Sequence, residues 1–131
     1  MLQRTVQWLI PEECPQLERN GKRFLAVCPT ELLPLHSVRV LCLPAAQQIA
    51  VFHLPEGLFA VDNYCAHQHV PVLAEGTVEG TALRCPRHGW CYDLRDGRAL
   101  QGCGRLRVYE VLQHEGILYL EVPEPEGAPW G

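Results

Sequence analysis

The chain has 131 residues, 47% of them hydrophobic, with 11 basic and 15 acidic side chains and a formal net charge of −4. That length gives one domain with its own core and leaves no room for a second of catalytic size. The acidic balance argues against a nucleic-acid partner, and no segment approaches the roughly 18 consecutive apolar residues of a membrane span.

In chain order, residues 1–22 form a polar, mixed extension. Pro11-Glu12-Glu13 suits the start of a short helix, because proline is tolerated in a first turn. The first eleven residues lack a basic stretch followed by a long apolar run, so no export signal is expected. Residues 23–28 predict a strand and 29–34 a connector. Residues 37–43, 48–54 and 58–61 are rich in Val, Leu, Ile and Phe, and are punctuated by Pro44-Ala45-Ala46 and Pro55-Glu56-Gly57, the pattern of successive hairpins. Residues 108–113 and 117–122, joined by His114-Glu115-Gly116, predict another hairpin. No stretch has the length and period of a substantial helix, and no internal repeat is visible. The expected fold is a small all-β domain over residues 23–122. The Pro-rich, polar segment 123–131 is expected to be a flexible tail, with Trp130 near its end.

Two short motifs carry the chemistry. Cys65-Ala66-His67 and Cys85-Pro86-Arg87-His88 each offer one thiolate and one imidazole, with seventeen residues between His67 and Cys85. Two irons bridged by two sulfides and held asymmetrically, Cys₂ on one and His₂ on the other, need such a set. Neutral imidazoles in place of two thiolates remove two negative charges, which raises the potential by a few hundred millivolts over an all-cysteine ferredoxin. Zinc also takes Cys₂His₂, but its usual order is Cys, Cys, His, His. Chance assembly of four unrelated residues is the third alternative, disfavoured by the length of the second motif and the glycine after it. The remaining cysteines, Cys14, Cys28, Cys42, Cys91 and Cys103, are odd in number and suggest no disulfide framework. Free cysteines in apolar surroundings fit a reducing, cytoplasmic setting.

Cys-Ala-His at 65–67 and Cys-Pro-Arg-His-Gly-Trp-Cys-Tyr-Asp-Leu at 85–94, followed by Asp96-Gly97, resemble the Rieske family. The resemblance covers about residues 23–122. It implies an antiparallel base with an inserted lobe, here about residues 64–104, whose two loops present one [2Fe-2S] cluster per chain. By resemblance, Cys65 and Cys85 hold the buried iron, and His67 and His88 the outer one. Respiratory Rieske proteins add a cysteine to each loop and a serine after the second motif. Val70, Arg87 and Trp90 stand there instead, so neither that disulfide nor that hydroxyl donor can form, and a low potential is expected. Tyr92 matches a tyrosine that bonds a cysteine sulfur in the family, although a plain core aromatic would look the same. Gln68, Pro71 and Gly76 match soluble Rieske ferredoxins, whereas His69 and Val70 replace small residues. His69 competes with His67 on paper, and His67 fits the family spacing better. Gly102-Cys103-Gly104 replaces a proline-containing cover loop and suggests a looser turn.

No catalytic residue is expected, and the chain is too short for the mononuclear-iron domain of an oxygenase large subunit. The expected role is a one-electron carrier between a flavin-dependent reductase and a terminal oxygenase or reductase. The alternatives are a small subunit of an assimilatory NAD(P)H nitrite reductase and an iron- or oxygen-sensing module without electron transfer. Six arginines between Arg84 and Arg107, set against Asp93 and Asp96, are either ordinary solvated surface or a docking rim for an acidic partner.

Overall fold

A computed structural model describes residues 3–4, 8–9, 16–19, 21–43, 47–64, 73–86, 89–102 and 104–121. Two short strands, β1 (Gln3–Arg4) and β2 (Trp8–Leu9), precede an antiparallel pair, β3 (Gln16–Arg19) and β4 (Lys22–Pro29). A 3-10 turn at Thr30–Leu32 leads to a meander of β5 (Ser37–Leu43), β6 (Gln47–Leu54) and β7 (Gly57–Asp62). After a second 3-10 turn, Leu73–Glu75, come four short strands: β8 (Thr77–Glu79), β9 (Ala82–Arg84), β10 (Cys91–Asp93) and β11 (Ala99–Gln101). The chain then returns through β12 (Val108–Tyr109), β13 (Val111–His114) and β14 (Ile117–Glu121).

Three sheets result. The central one runs β1-β5-β6-β7-β12, with β2 also on β5; the second runs β13-β14-β4-β3; the third runs β11-β10-β9-β8. Pairing is antiparallel except where β1 and β2 lie parallel on β5.

The central sheet is apolar on both faces, which is why its strands read as nearly continuous hydrophobic runs. Period-two alternation divides them. Val38, Val40, Ala50, Phe52, Leu54 and Val61 pack with Leu73, Ala74, Leu83, Cys85, Tyr92, Leu94 and Leu106. On the other face Leu41, Ile49, Val51 and Ala60 pack with Val27, Cys28, Leu118 and Leu120. One sheet therefore serves as a wall shared by two cores, and the small third sheet is fastened to it through Leu83, Tyr92 and Leu94, each at most 1% exposed. At roughly 1.5–3 kcal/mol per large side chain buried, such contacts outweigh any single polar contact in the lobe.

Two strand assignments from sequence change in the structure. Three strands lie within residues 1–22, where composition showed only a mixed extension, and Pro11-Glu12-Glu13 falls outside the described residues. Residues 108–113 are two strands rather than one: β12 pairs with β7, and after Glu110 the chain crosses to pair β13 with β14. The all-β fold class stands: among the described residues helical structure is limited to the two 3-10 turns. Residues 44–46 and 122–131, with the predicted tail, are outside the described set, and no helix among the described residues is long and apolar enough to cross a membrane.

Candidate cluster-binding site

The two motif loops spring from neighbouring strand ends. The first leaves β7 and returns at the Leu73–Glu75 turn. Its base is closed by Asn63, which is 2% exposed. The Asn63 carbonyl accepts the Leu73 N–H at 3.1 Å and its side-chain Oδ1 accepts the Ala74 N–H at 2.8 Å. On the β6 side, Asn63 N–H donates to the Gln48 carbonyl and Nδ2 to Gln48 Oε1, both at 3.0 Å. A buried amide with these partners is satisfied and rigid.

The second loop joins β9 to β10 through residues 85–90. Cys85 is 1% exposed. Its N–H donates to the Trp90 carbonyl at 2.7 Å and its carbonyl accepts the Gly89 N–H at 3.1 Å, closing a tight turn. Arg84, just before it, donates from one guanidinium nitrogen to the Gly89 carbonyl at 2.7 Å and to Gln101 Oε1 at 3.0 Å.

Gly76 brings the loops together. A Cβ on it would strike the Arg84 carbonyl and sit 2.9 Å from Leu83 Cδ1. Glycine is needed because the chain leaving the first loop runs directly against the strand entering the second. Gly102, with φ of +95°, lies against the face of Trp90, where a Cβ would overlap the indole ring. The expected looseness at 102–104 is therefore absent at Gly102, whose missing side chain serves close packing.

Of the four predicted ligands, Cys85 is described; Cys65, His67 and His88 lie outside the described residues, as do Arg87, Gln68, His69, Val70, Pro71 and Cys103. Tyr92 is fully buried within the first core and Trp90 is half-buried against it. Among the described residues no group of three or more His, Cys, Asp or Glu side chains is gathered to hold a metal ion. A [2Fe-2S] cluster fits what is described: a thiol buried at the head of a closed turn, beside a second loop whose ends are pinned. Cys28, Cys42 and Cys91 are free thiols. Burial raises the Cys28 pKa, with Arg39 opposing, so it stays a neutral thiol in the second core.

The described arginines of this segment do not form one rim. Arg84 stands at the loop end of the lobe. Arg95 and Arg98 stand at the opposite end of β10, where Arg95 pairs with Asp93 at 2.8 Å and Arg98 approaches it at 3.7 Å. The Arg95 pair holds the Asp93 carboxyl down at about 2. Arg105 donates to the Asp96 carbonyl and Arg107 lies over the Tyr109 ring. Sequence points to Tyr92 and Trp90 but not to Asn63, and names Arg84 only as one of six arginines; the available signals are a polar residue closing an apolar strand and a charge adjoining a candidate ligand cysteine.

Fold and site together define a small β protein built around two adjoining loops with a cysteine at the head of one. Residues 23–110 match the Rieske [2Fe-2S] domain family. The chain is 34% identical over 105 residues to the 3-phenylpropionate/cinnamic acid dioxygenase ferredoxin subunit of Photorhabdus laumondii, spanning 78% of this chain and 97% of that protein. It also matches a chain in the complex of reduced oxygenase and oxidised ferredoxin of carbazole 1,9a-dioxygenase (28% identity, TM-score 0.67), covering 73% of this chain and 99% of that one. A chain described as a nitrite reductase small subunit from Mycobacterium tuberculosis shares the fold at TM-score 0.69 and 20% identity, over 85% and 99% of the two chains. The chain belongs to the Rieske [2Fe-2S] domain family. It carries one [2Fe-2S] cluster and is an electron carrier.

Proposed function

We propose that this carrier takes electrons one at a time from a flavin-dependent reductase and delivers them to a terminal oxygenase, in the cytoplasm. The observation that carries this reading is the match over 97% of a dioxygenase ferredoxin subunit at 34% identity. The nitrite reductase likeness, at 20% identity, speaks for the fold alone. Cys65 and Cys85 hold one iron, and His67 and His88 the other. When bound, the cluster supplies one-electron reduction and reoxidation at a potential set by its ligands and their hydrogen bonds. The chain's own residues do the rest. Asn63 and Arg84 fix the loops, and Tyr92, buried in the same core as Cys85, is the residue we assign to donate its hydroxyl toward a ligand sulfur. The shared core keeps water from the Cys85 side. Catalysis belongs to the partner.

Metal analysis tests the ligand reading: about two irons and two acid-labile sulfides per chain are expected, and one zinc without sulfide overturns it. Mixing the reduced protein with an oxygenase of the aromatic-ring type and following cluster reoxidation tests the role. Reoxidation within the oxygenase's turnover time supports it. Co-purification with a large flavin–sirohaem protein, and no transfer to oxygenases, transfers the assignment to the nitrite reductase branch.

A further inference from the structure

We propose that Arg84 is a positioning residue for the cluster and a determinant of its potential; this rests on Cys85 and His88 being ligands. Arg84 is the last residue of β9, its Cα opposite Cys91 on one side and Thr77 on the other. A single guanidinium nitrogen bridges the Gly89 carbonyl, inside the ligand turn, and Gln101 Oε1, at the end of β11. It thereby ties the turn that follows His88 to the strand leading into residues 102–104, across β10, the strand that lies between β9 and β11. The tie adds to the backbone closure at Cys85 and Trp90, which holds the turn's two ends together but does not join it to β11.

The second consequence is electrostatic. A guanidinium stays charged at all working pH values. Fixed by two hydrogen bonds, one of them to Gly89 within the turn that Cys85 heads, it adds a permanent positive charge near a group that becomes more negative on reduction, and so favours the reduced state. The other described arginines do not share this position: Arg95 and Arg98 face Asp93 at the far end of β10, and Arg105 bonds Asp96.

Two variants separate the tie from the charge. Arg84→Gln removes the charge; Gln101→Ala keeps it and removes one anchor. Each purified holoprotein is titrated against redox mediators with EPR detection, and cluster loss to an iron chelator is timed. Arg84→Gln is expected to retain two irons and two sulfides while its midpoint falls, and the fall should shrink at high salt. Arg84→Lys should recover most of the midpoint but not the native EPR line shape. Gln101→Ala should leave the midpoint near wild type and shorten the cluster's half-life several-fold. An unchanged midpoint in Arg84→Gln, or a fall that Arg84→Lys does not reverse, overturns the electrostatic role; unaltered line shape and half-life in both Arg84→Gln and Gln101→Ala overturns the positioning role. If Arg84→Gln loses its cluster, the midpoint of Arg84→Met decides the electrostatic role and the half-life of Gln101→Ala decides the positioning role. Wild-type protein without a [2Fe-2S] signal would instead defeat the ligand assignment beneath the proposal.

Discussion

The bases of the two loops solve one problem by opposite means. The first is closed by Asn63, a buried neutral amide whose backbone and side chain both bond across the neck, and the second is braced by Arg84, an exposed cation reaching over the surface. A buried amide acts through satisfaction: every lost bond strands a group away from water. An exposed guanidinium acts through charge and reach, because its hydrogen bonds compete with solvent and contribute little to stability. The first base should matter for folding, the second for redox behaviour.

The largest effect expected from this contrast is at Asn63. Asn63→Ala strands the Ala74 N–H and the Gln48 amide, at a cost of about 3 kcal/mol, read by denaturant unfolding, with loss of bound iron. A change below about 0.5 kcal/mol, the level of an ordinary surface substitution, would remove the distinction between the two necks. Next comes Gly102→Ala, which forces a Cβ into Trp90 at a positive φ. It should lower stability by about 2 kcal/mol and shift the Trp fluorescence, marking the far side of the second loop as packed.

Asp93 sharpens the comparison within the lobe by pH. Its folded pKa is depressed from 3.8 to about 2, first of all by the Arg95 hydrogen bond. Its contribution is therefore complete above the unfolded pKa and is lost as pH falls through the folded one. Asp93→Asn should cost about 1.5 kcal/mol at neutral pH and flatten the stability profile between pH 4 and 2 relative to wild type, as thermal melts across that range would report. The smallest expected effect is Arg84→Met on unfolding, about 0.5 kcal/mol or less. A loss as large as that of Asn63→Ala would show both necks to be structural in the same sense.

The whole-protein potential is a further check on the site's chemistry. Without the disulfide and serine of respiratory relatives, the midpoint should lie at or below roughly −100 mV. A clearly positive value in protein-film voltammetry would contradict that reading.

Sequence carried the middle of the fold well. Residues 37–43 match β5 end for end, because alternation of buried residues along a strand is a local property. Strands β1 and β2 escaped because two residues carry no pattern; they are strands by virtue of lying against β5. The break at Glu110 escaped for a similar reason, since residues 108–113 are uniformly strand-like and only the positions of β7 and β14 show where the chain changes sheets. In the site, the proposed quartet was legible as a spacing pattern, of which the structure describes Cys85, at the head of its turn. Asn63 and Arg84 were not, because a hydrogen-bond hub has no spacing rule: its partners Gln48 and Gln101 lie 15 and 17 residues away.

The wall shared by the two cores bears on how fast a carrier can work. Electron transfer slows when atoms must shift to accommodate a change of charge. The third sheet packs against β5, β6 and β7, whose reverse face is itself occupied, so the frame behind Cys85 has no soft side into which to relax. Close-packed interiors are stiff. A substitution such as Ile49→Ala, on the face turned away from the lobe, would leave every ligand and charge in place and still be expected to raise the reorganisation energy of transfer by softening that backing.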